Sequence, residues 1–340
     1  MNSKRIGIDA RLYFQTGVGT YVRNLIRFLP KFTPGNIEFY LYVLPQDIPR
    51  ITITYPRMKI RPVAASWHSL SEQTTFYDIL MKDRLDLMHF TYFSYPVRYK
   101  RPFIATIHDL TPLLFKTGRA STMNPLFYEL KYRVFRYILK KQIERAVAII
   151  TPTNTIKQQI AQIYGVRCGE KTTSIYEGVD YELLEAEQKP SIQLPKNIPH
   201  DYLLYVGNFY PHKNVERLIL AYRFIKPTGK PALVLVGPDN FFAKKLRNFI
   251  QKSNIDSIYF LHDTSREELV ALYKKARALV NPSLSEGFGL PLIEATYFHC
   301  PVIASDIPVF KELLGAKYSS FDPTDVSDIS SKLEKKKEKC

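Results

Sequence analysis

Two carboxylates, Glu286 and Glu294, stand eight positions apart around a glycine-rich turn in the segment NPSLSEGFGLPLIEA. The apolar run 278–280 precedes this turn, and a helix-length segment follows it. A glycine loop that opens a helix is a natural anion seat, because free backbone N–H groups and the helix dipole both face the ligand. Eight residues are close to two helical turns, so both carboxylates can lie on one side of a ligand. Carboxylates beside an anion seat favour hydroxyl groups, and the pattern indicates a nucleotide-sugar site.

Acidic pairs at this spacing also arise by chance on charged helices, but the flanking prolines, serine and glycines favour a tight strand-to-helix turn. The block resembles the retaining GT-B glycosyltransferases of family 4 (glycosyltransferase group 1), which include sucrose synthases and bacterial α-mannosyltransferases. The resemblance implies that Glu286 contacts hydroxyls of the donor hexose, as a catalytic residue, and that Glu294 contacts the nucleotide ribose. The turn expected to hold the sugar and the diphosphate comprises Ser285, Gly287, Phe288, Gly289 and Leu290.

A second candidate loop reads YVGNFYPHKNVERLI, with Gly207 closing a strand and Lys213 at the start of a helix. A lone lysine here is usually solvated, although one aimed at a helix start can neutralise a diphosphate without a metal. The resemblance implies that Lys213 binds the donor phosphates and acts in catalysis. Relatives carry an arginine where this chain has Asn208 or His212, so His212 or a residue elsewhere is expected to compensate. No Asp-x-Asp motif occurs, so no metal and no cofactor is expected.

The N-terminal half offers two further candidates. Gly17 and Gly19 lie in a turn before an amphipathic helix, and a tight turn alone would explain them. In the resembled family this loop approaches the donor phosphate and the acceptor. His108 is the last residue of the apolar run FIATIH. Ligands bind at the carboxyl ends of parallel strands, which favours a role in binding. A histidine at a strand end is nevertheless more often structural. The resemblance implies that His108 contacts a sugar hydroxyl or the oxocarbenium-like transition state, and Asp109 is expected to organise its loop.

The elements that would position these residues alternate between apolar runs and helix-length segments, which predicts parallel sheets with right-handed crossovers. The expected fold class is α/β, and the resemblance implies a GT-B fold with two doubly wound Rossmann-like domains facing each other across a cleft. An acceptor-side domain is expected at 1–184, a linker at 185–200 and a nucleotide-sugar domain at 201–340. Strands are expected at 5–10, 39–44, 87–90, 103–108, 147–151, 173–176, 202–207, 232–237, 258–262, 278–281 and 302–305. Helices are expected at 19–32, 70–82, 125–145, 155–164, 214–224, 242–253, 266–276 and 290–298.

The composition and net charge of the chain limit the classes of binding partner that it is expected to have. The chain has 340 residues, 45% hydrophobic and 24% charged, as in ordinary globular proteins, and a net charge of +16. Such a positive charge favours binding to nucleic acid, to anionic membranes or to phosphorylated ligands. No nucleic-acid-binding motif stands out, so a membrane surface is favoured and no nucleic-acid partner is expected. The basic segment 124–146 is expected to form a helix, either packed with a solvated basic face or lying at a lipid interface.

The N-terminal sequence, the lengths of the apolar runs and the cysteines together predict where the protein is located. The chain opens without an apolar signal region, and no run is long enough to span a membrane. Three scattered cysteines favour a reducing cytoplasm. A peripheral protein at the inner face of the cytoplasmic membrane is therefore expected. The resemblance covers about residues 5–330, and the Lys-rich tail indicates either a short closing helix or a truncated chain.

The expected function is a retaining, metal-independent hexosyltransferase in surface polysaccharide assembly, with the leaving phosphate acting as base on the front face. The run YVGNFYPHKN followed by ERLI looks most like mannosyltransferases that use GDP-mannose, although UDP-sugars stay open as donors. The acceptor is expected to be a glycan or a lipid-linked glycan. The alternatives are an epimerase of the same fold, a non-catalytic partner subunit and a nucleic-acid-binding protein. The sequence leaves the oligomeric state open.

Overall fold

The computed structural model describes residues 3–52, 55–115, 125–190 and 193–334. The chain divides into two compact units, Met1–Gly178 and Val179–Cys340. The helix Tyr181–Glu187, which the sequence analysis assigns to the end of the first domain and the start of the linker, lies in the second unit. Leu183 and Ala186 of this helix pack into the core of that unit, and this packing decides its place.

The first unit contains a seven-stranded sheet in the order β3-β2-β1-β4-β5-β6-β7, and every strand pair is parallel. Its strands are β1 (Lys4–Asp9), β2 (Ile37–Val43), β3 (Met58–Pro62), β4 (Leu87–Phe90), β5 (Phe103–Thr106), β6 (Ala148–Thr151) and β7 (Thr172–Ser174). Its helices are α1 (Val18–Phe32), α2 (Tyr77–Asp83), α3 (Thr111–Leu114), α4 (Pro125–Arg145), α5 (Asn154–Tyr164) and α6 (Val166–Glu170). A 3-10 turn, Pro45–Arg50, and a π-helical turn, Glu72–Phe76, complete it.

The second unit contains a six-stranded sheet in the order β10-β9-β8-β11-β12-β13, again with only parallel pairs. Its strands are β8 (Tyr202–Val206), β9 (Ala232–Val236), β10 (Ile258–Leu261), β11 (Ala278–Asn281), β12 (Val302–Ser305) and β13 (Ser319–Phe321). Its helices are α7 (Tyr181–Glu187), α8 (Val215–Arg223), α9 (Phe241–Lys252), α10 (Arg266–Lys275), α11 (Leu290–Tyr297), α12 (Pro308–Leu314) and α13 (Val326–Glu334).

Both sheets follow from their sequences in the same way. The central strands β9, β11 and β12 are buried along their whole length, so they read as continuous apolar runs rather than as alternating patterns. Cores lie on both faces of the second sheet, as a sheet covered by helices on each side requires. The predicted pair of doubly wound parallel sheets is therefore confirmed. Loops after the carboxyl ends of the strands are the positions where such folds bind ligands.

No helix in the described ranges is both long enough and apolar enough to cross a membrane.

Candidate functional site

The turn between β11 and α11 is built around Gly289, whose φ of 107° is a left-handed conformation. A Cβ at this position would lie 2.6 Å from Cδ1 of Leu292 and 3.0 Å from Cε1 of Phe310. Glycine is required both by its backbone conformation and by this close approach. Helix α11 begins at the next residue, with Pro291 in its first turn, where proline suits a helix start.

Glu286 is the centre of the charged contacts in this turn. Its Oε1 accepts a hydrogen bond from Nζ of Lys213 at 2.7 Å and another from Oγ of Ser283 at 2.8 Å. The side chains of Lys213 and Glu286 are 21% and 12% exposed, so the ion pair is partly shielded from water. The structure thus brings together two residues that the sequence places far apart, and it leaves an edge of both open to solvent.

Ser283 is a site residue that the sequence analysis missed. It is fully buried, and its Oγ also lies 2.7 Å from Oδ1 of Asn281, the last residue of β11. A hydroxyl carries one hydrogen, so Ser283 donates it to either Asn281 or Glu286 at a given moment. The sequence signal for Ser283 is its position two residues after a buried strand, whereas the predicted site includes the nearby Ser285 instead. Ser283 ties the carboxylate of Glu286 to the end of the strand.

The loop that carries Lys213 is fastened to the turn of Glu286. Asn214, in a left-handed conformation with φ of 59°, donates from Nδ2 to the carbonyls of Pro282 at 3.0 Å and Pro323 at 2.8 Å. The backbone N–H of Leu284 donates to the carbonyl of His212 at 2.8 Å. Lys213 itself ends a short 3-10 turn, Pro211–Lys213. The two predicted loops therefore form one connected unit with the cation and the carboxylate at its surface.

The start of the same loop contains Gly207 and Asn208. Gly207 has φ of 150° and follows the last residue of β8. The carbonyl of Asn208 accepts a hydrogen bond from the hydroxyl of Tyr205 at 2.5 Å. This bond folds the loop back over its own strand.

His212 precedes Lys213, and its ring stacks at 5.9 Å on that of Tyr210. Burial, together with the charge of Lys213, lowers the pKa of His212 to about 4. This lowered pKa makes the imidazole neutral at neutral pH. The expected compensation by His212 for the missing arginine stays a prediction. Among the residues that the structure describes, Nδ1 of His212 has no hydrogen-bond partner.

Glu294 lies on α11, in the second turn, and is 7% exposed. Its Oε2 accepts a hydrogen bond from the hydroxyl of Tyr273 on α10 at 2.7 Å. Burial, followed by the charge of Glu294, raises the pKa of Tyr273 far above its ordinary value, so the phenol stays a donor. Tyr273 therefore fixes the rotamer of the carboxylate that the family resemblance assigns to the ribose.

In the first unit, Gly17 is the residue before α1, whereas Gly19, which the sequence analysis expects in the turn before the helix, lies in the first turn of α1. Gly17 has φ of 70°. A Cβ on Gly19 would lie 2.7 Å from the carbonyl oxygen of Tyr13 and 3.0 Å from that of Leu12. Both glycines are thus explained by local backbone geometry, and their expected role at the donor phosphate stays a prediction.

His108 lies after β5 and is buried with both ring nitrogens engaged. Its Nδ1 is 2.9 Å from Oε1 of Glu177, and its Nε2 is 2.9 Å from the carbonyl oxygen of Thr91. Burial opposes the charged ring, but the hydrogen bond and charge of Glu177 outweigh it and raise the pKa of His108. The sequence analysis did not select Glu177, which this contact places beside a predicted site residue. The expected contact of His108 with a sugar stays a prediction.

Oδ1 of Asp109 accepts a hydrogen bond at 2.7 Å from the backbone N–H of Thr111, the first residue of the short α3. This is the loop-organising contact that the sequence analysis expects for Asp109.

The site residues divide between the units. His108, Gly17 and Gly19 belong to the first, and the loops of Lys213 and Glu286, with Glu294, belong to the second. Within the described ranges, no cluster of three or more His, Cys, Asp or Glu side chains could hold a metal ion. Metal independence stays a prediction.

Two family models cover most of the chain. The model described as Glycosyltransferase Family 4 matches residues 15–183. The model described as Glycosyl transferases group 1 matches residues 187–339.

Curated relatives point in the same direction. The O-antigen chain mannosyltransferase RfbU of Salmonella typhimurium is 34% identical over 229 residues, which are 65% of this chain and 62% of the relative. The serotype-specific mannosyltransferase WbdA of Escherichia coli is 27% identical over 244 residues, which are 68% of this chain and 29% of the relative. This chain thus spans less than two thirds of the length of either relative.

Solved structures share the fold. Sucrose-phosphate synthase from Thermosynechococcus elongatus superposes with a TM-score of 0.75 at 19% identity, over 97% of this chain and 89% of that one. WaaG, a glycosyltransferase involved in lipopolysaccharide biosynthesis, gives a TM-score of 0.71 at 15% identity, again over 97% and 89%. At these identities the likeness concerns the fold alone, and it confirms the predicted GT-B class.

Proposed function

The chain belongs to the GT-B glycosyltransferases of family 4 and group 1, and we propose that it transfers a hexose from a nucleotide sugar to a hydroxyl of a glycan acceptor. The observation that carries this proposal is the contact between Lys213 and Glu286 beside the start of α11. A cation, a carboxylate and a helix N-terminus at one place match the diphosphate and the hydroxyls of a nucleotide sugar.

In the proposed reaction, a bound diphosphate competes with Glu286 for Lys213. Glu286, still held by Ser283, then accepts hydrogen bonds from hydroxyls of the hexose. Lys213 and the backbone N–H groups at the start of α11 stabilise the negative charge that grows on the departing diphosphate, which is the chief way of lowering this barrier. The proposed route is front-face and retaining, with the leaving phosphate acting as base.

The proposed donor is GDP-mannose, and the proposed setting is the assembly of a surface polysaccharide such as O-antigen. Support comes from the names of the relatives, which are O-antigen and serotype-specific mannosyltransferases. Lys213 takes the part that a divalent ion plays in metal-dependent enzymes, so the proposed reaction needs no added metal.

We further propose that the enzyme works at an anionic membrane surface, the inner face of the cytoplasmic membrane, on a lipid-linked acceptor. Leu130, Val134 and Tyr137 are 59%, 50% and 53% exposed, and their spacing places them along one stripe of α4. Residues 128–145 of this helix carry six basic residues and two acidic ones. An apolar stripe between cations suits a bilayer surface with anionic headgroups.

Calorimetric titration without metal tests the donor. We expect GDP-mannose to bind more tightly than UDP-glucose, UDP-galactose or UDP-N-acetylglucosamine, and we expect Lys213→Ala to lose this binding. The control is Lys245→Ala, which removes the same charge from an exposed residue of α9 in the same unit. This variant is expected to bind the donor like the wild type. Preference for a UDP-sugar would reject the mannose donor, and binding of none would reject the transferase.

Product analysis separates the proposal from its rivals. With donor and acceptor present, we expect a new glycosidic product that is lost in Glu286→Ala while the variant stays folded. Conversion of the donor sugar without an acceptor would instead favour an epimerase. Full turnover in Glu286→Ala would remove the central role of this carboxylate.

A further inference from the structure

The ring of His108 lies between two hydrogen-bond acceptors. The carbonyl oxygen of Thr91, 2.9 Å from Nε2, can only accept, so Nε2 carries a hydrogen. Oε1 of Glu177 lies 2.9 Å from Nδ1, and an ionised carboxylate also only accepts. The geometry therefore leaves two states for the pair. Either a fully protonated imidazolium faces a carboxylate, or a neutral ring accepts from a protonated Glu177.

The surroundings decide between these two states. Asp109, in the same loop, adds a second negative charge that favours the imidazolium. The ring of Tyr21, on α1, meets His108 edge-on with centroids 4.9 Å apart. The hydroxyl of Tyr21 is hydrogen-bonded to Oγ1 of Thr106 at 3.0 Å. Nε2 of His89, on β4, is hydrogen-bonded to the same oxygen at 2.8 Å.

His89 is the other titratable ring that faces His108. Burial, together with the positive charge of His108, lowers the pKa of His89 to about 3, so this ring is neutral and does not oppose the charge on His108. Among the residues that the structure describes, Tyr21 on α1, His89 on β4 and Asp109 in the same loop thus bring no positive charge to His108. The balance of these charges favours the imidazolium.

We propose that Glu177 is a positioning residue that holds His108 as an imidazolium with both N–H groups committed, so that His108 is not a general base in the transfer. Its contribution is instead a fixed positive charge and a fixed ring orientation beside the carboxyl ends of β4, β5 and β7. The protonation state follows from the contacts of the ring together with the charges around it, and only its effect on transfer depends on the proposed function.

Nitrogen-15 NMR of the histidine rings in the full-length protein tests the protonation state directly. At about pH 7, where an ordinary histidine is mostly neutral, we expect both ring nitrogens of His108 to be protonated. His89 is an internal control that should show one protonated nitrogen, and a His108→Gln spectrum assigns the signals. A neutral His108 ring in the wild-type protein at this pH would overturn the proposal.

Substitution of the carboxylate tests the role of Glu177. In Glu177→Gln, burial is no longer offset by a negative partner, so we expect the ring of His108 to become neutral at about pH 7. Glu177→Asp keeps the charge and should restore part of the protonation. Glu170→Gln, an exposed change in the same unit, is the matched control and should leave the His108 signals unmoved. An unchanged His108 titration in Glu177→Gln would also overturn the proposal.

The kinetic readout uses the pH profile of kcat. Wild-type turnover should be flat where the His108 imidazolium persists. In Glu177→Gln, we expect kcat to fall about tenfold for each pH unit above the lowered pKa of His108, because the protonated fraction falls in that proportion. A profile identical to that of the wild type would contradict the kinetic role. If no transfer is observed with any donor, the proposed function fails while the NMR result still decides the state of His108.

Discussion

Ser283 gives the clearest prediction at the scale of single residues. Removing its hydroxyl takes away one of the two hydrogen bonds that hold Oε1 of Glu286. We expect Ser283→Ala to lower kcat/KM by roughly tenfold, which is about 1.4 kcal/mol of transition-state stabilisation. Steady-state kinetics with the donor identified by calorimetry measures this loss.

A second buried serine supplies the control for this prediction. Ser305 ends the neighbouring strand β12, is fully buried and bonds the carbonyl of Asn281, without a described contact to Glu286. Ser305→Ala should therefore keep most of the activity. Equal losses in both variants would mean that buried hydroxyls near β11 serve stability rather than the position of Glu286.

The sequence reveals residue types here better than residue contacts. The motif around Glu286 and the loop of Lys213 were each identifiable, because glycines, prolines and charges stand at the spacing of a strand-to-helix turn. Their meeting at 2.7 Å depends on the order β8-β11 in the sheet, which no local pattern contains. Glu177 could not be chosen for the same reason, since its partner His108 lies on a different strand loop.

At the scale of elements, the turn before α11 depends on the conformation of Gly289. Gly289→Ala would hold alanine at φ of 107° with its Cβ 2.6 Å from the side chain of Leu292. We expect a loss of about 1 to 3 kcal/mol in the free energy of unfolding, because strain at such a position is of this order. Denaturant titration of the full chain measures it.

Gly229 is the matched glycine for this test. It also has positive φ, 72°, but a Cβ there would meet nothing within 4 Å. Gly229→Ala should therefore cost only the backbone strain and destabilise less than Gly289→Ala. The reverse order would show that the close approach of Leu292 and Phe310 relaxes easily.

The strands that could be predicted most readily from the sequence are the apolar ones at the centre of each sheet, whereas edge strands are harder to predict. Strands such as β9 and β11 are buried throughout and appear in the sequence as uninterrupted apolar runs. The missed strands β3 and β13 are edge strands with partly exposed residues, and β3 reads MKIRP. An edge strand satisfies one side of its ladder only, so it needs no apolar pattern.

Helix α4 carries the element-scale prediction about the membrane. Reversing two charges, Arg133→Glu with Arg136→Glu, leaves its buried face unchanged, because that face is formed by residues such as Leu139 and Ile143. We expect weaker co-sedimentation with anionic liposomes, by a factor of roughly ten or more, since each basic residue near such a surface is worth about 1 kcal/mol. Neutral liposomes should bind neither protein strongly.

A control variant with the same change in net charge distinguishes membrane binding through α4 from attraction by the overall positive charge of the protein. Lys244→Glu with Lys245→Glu alters exposed residues of α9 in the second unit. If α4 is the docking surface, this variant should bind anionic liposomes like the wild type. Equal weakening in both variants would assign the attraction to the overall charge of +16 rather than to α4.

At the scale of the whole molecule, buried histidines whose pKa values are shifted in opposite directions make the free energy of unfolding depend on pH. The pKa of His89 is lowered to about 3 and that of His212 to about 4, while that of His108 is raised. Below about pH 6.5, the unfolded chain protonates His89 and His212 before the folded chain does, so stability falls with acidification. The contribution of His108 is fully present below that pH and is lost as pH rises through its raised pKa.

His89→Gln isolates one of these contributions, because glutamine can still hydrogen-bond Thr106 but does not titrate. Between about pH 6.5 and pH 4, we expect the slope of unfolding free energy against pH to decrease by about 1.4 kcal/mol per pH unit, the linkage of one proton. Denaturant titrations at several pH values measure the slope, with surface His200→Gln as the control variant. An unchanged slope in His89→Gln would show that the ring of His89 is already protonated in the folded chain, and the charge assignment of the neighbouring His108 would then fail with it.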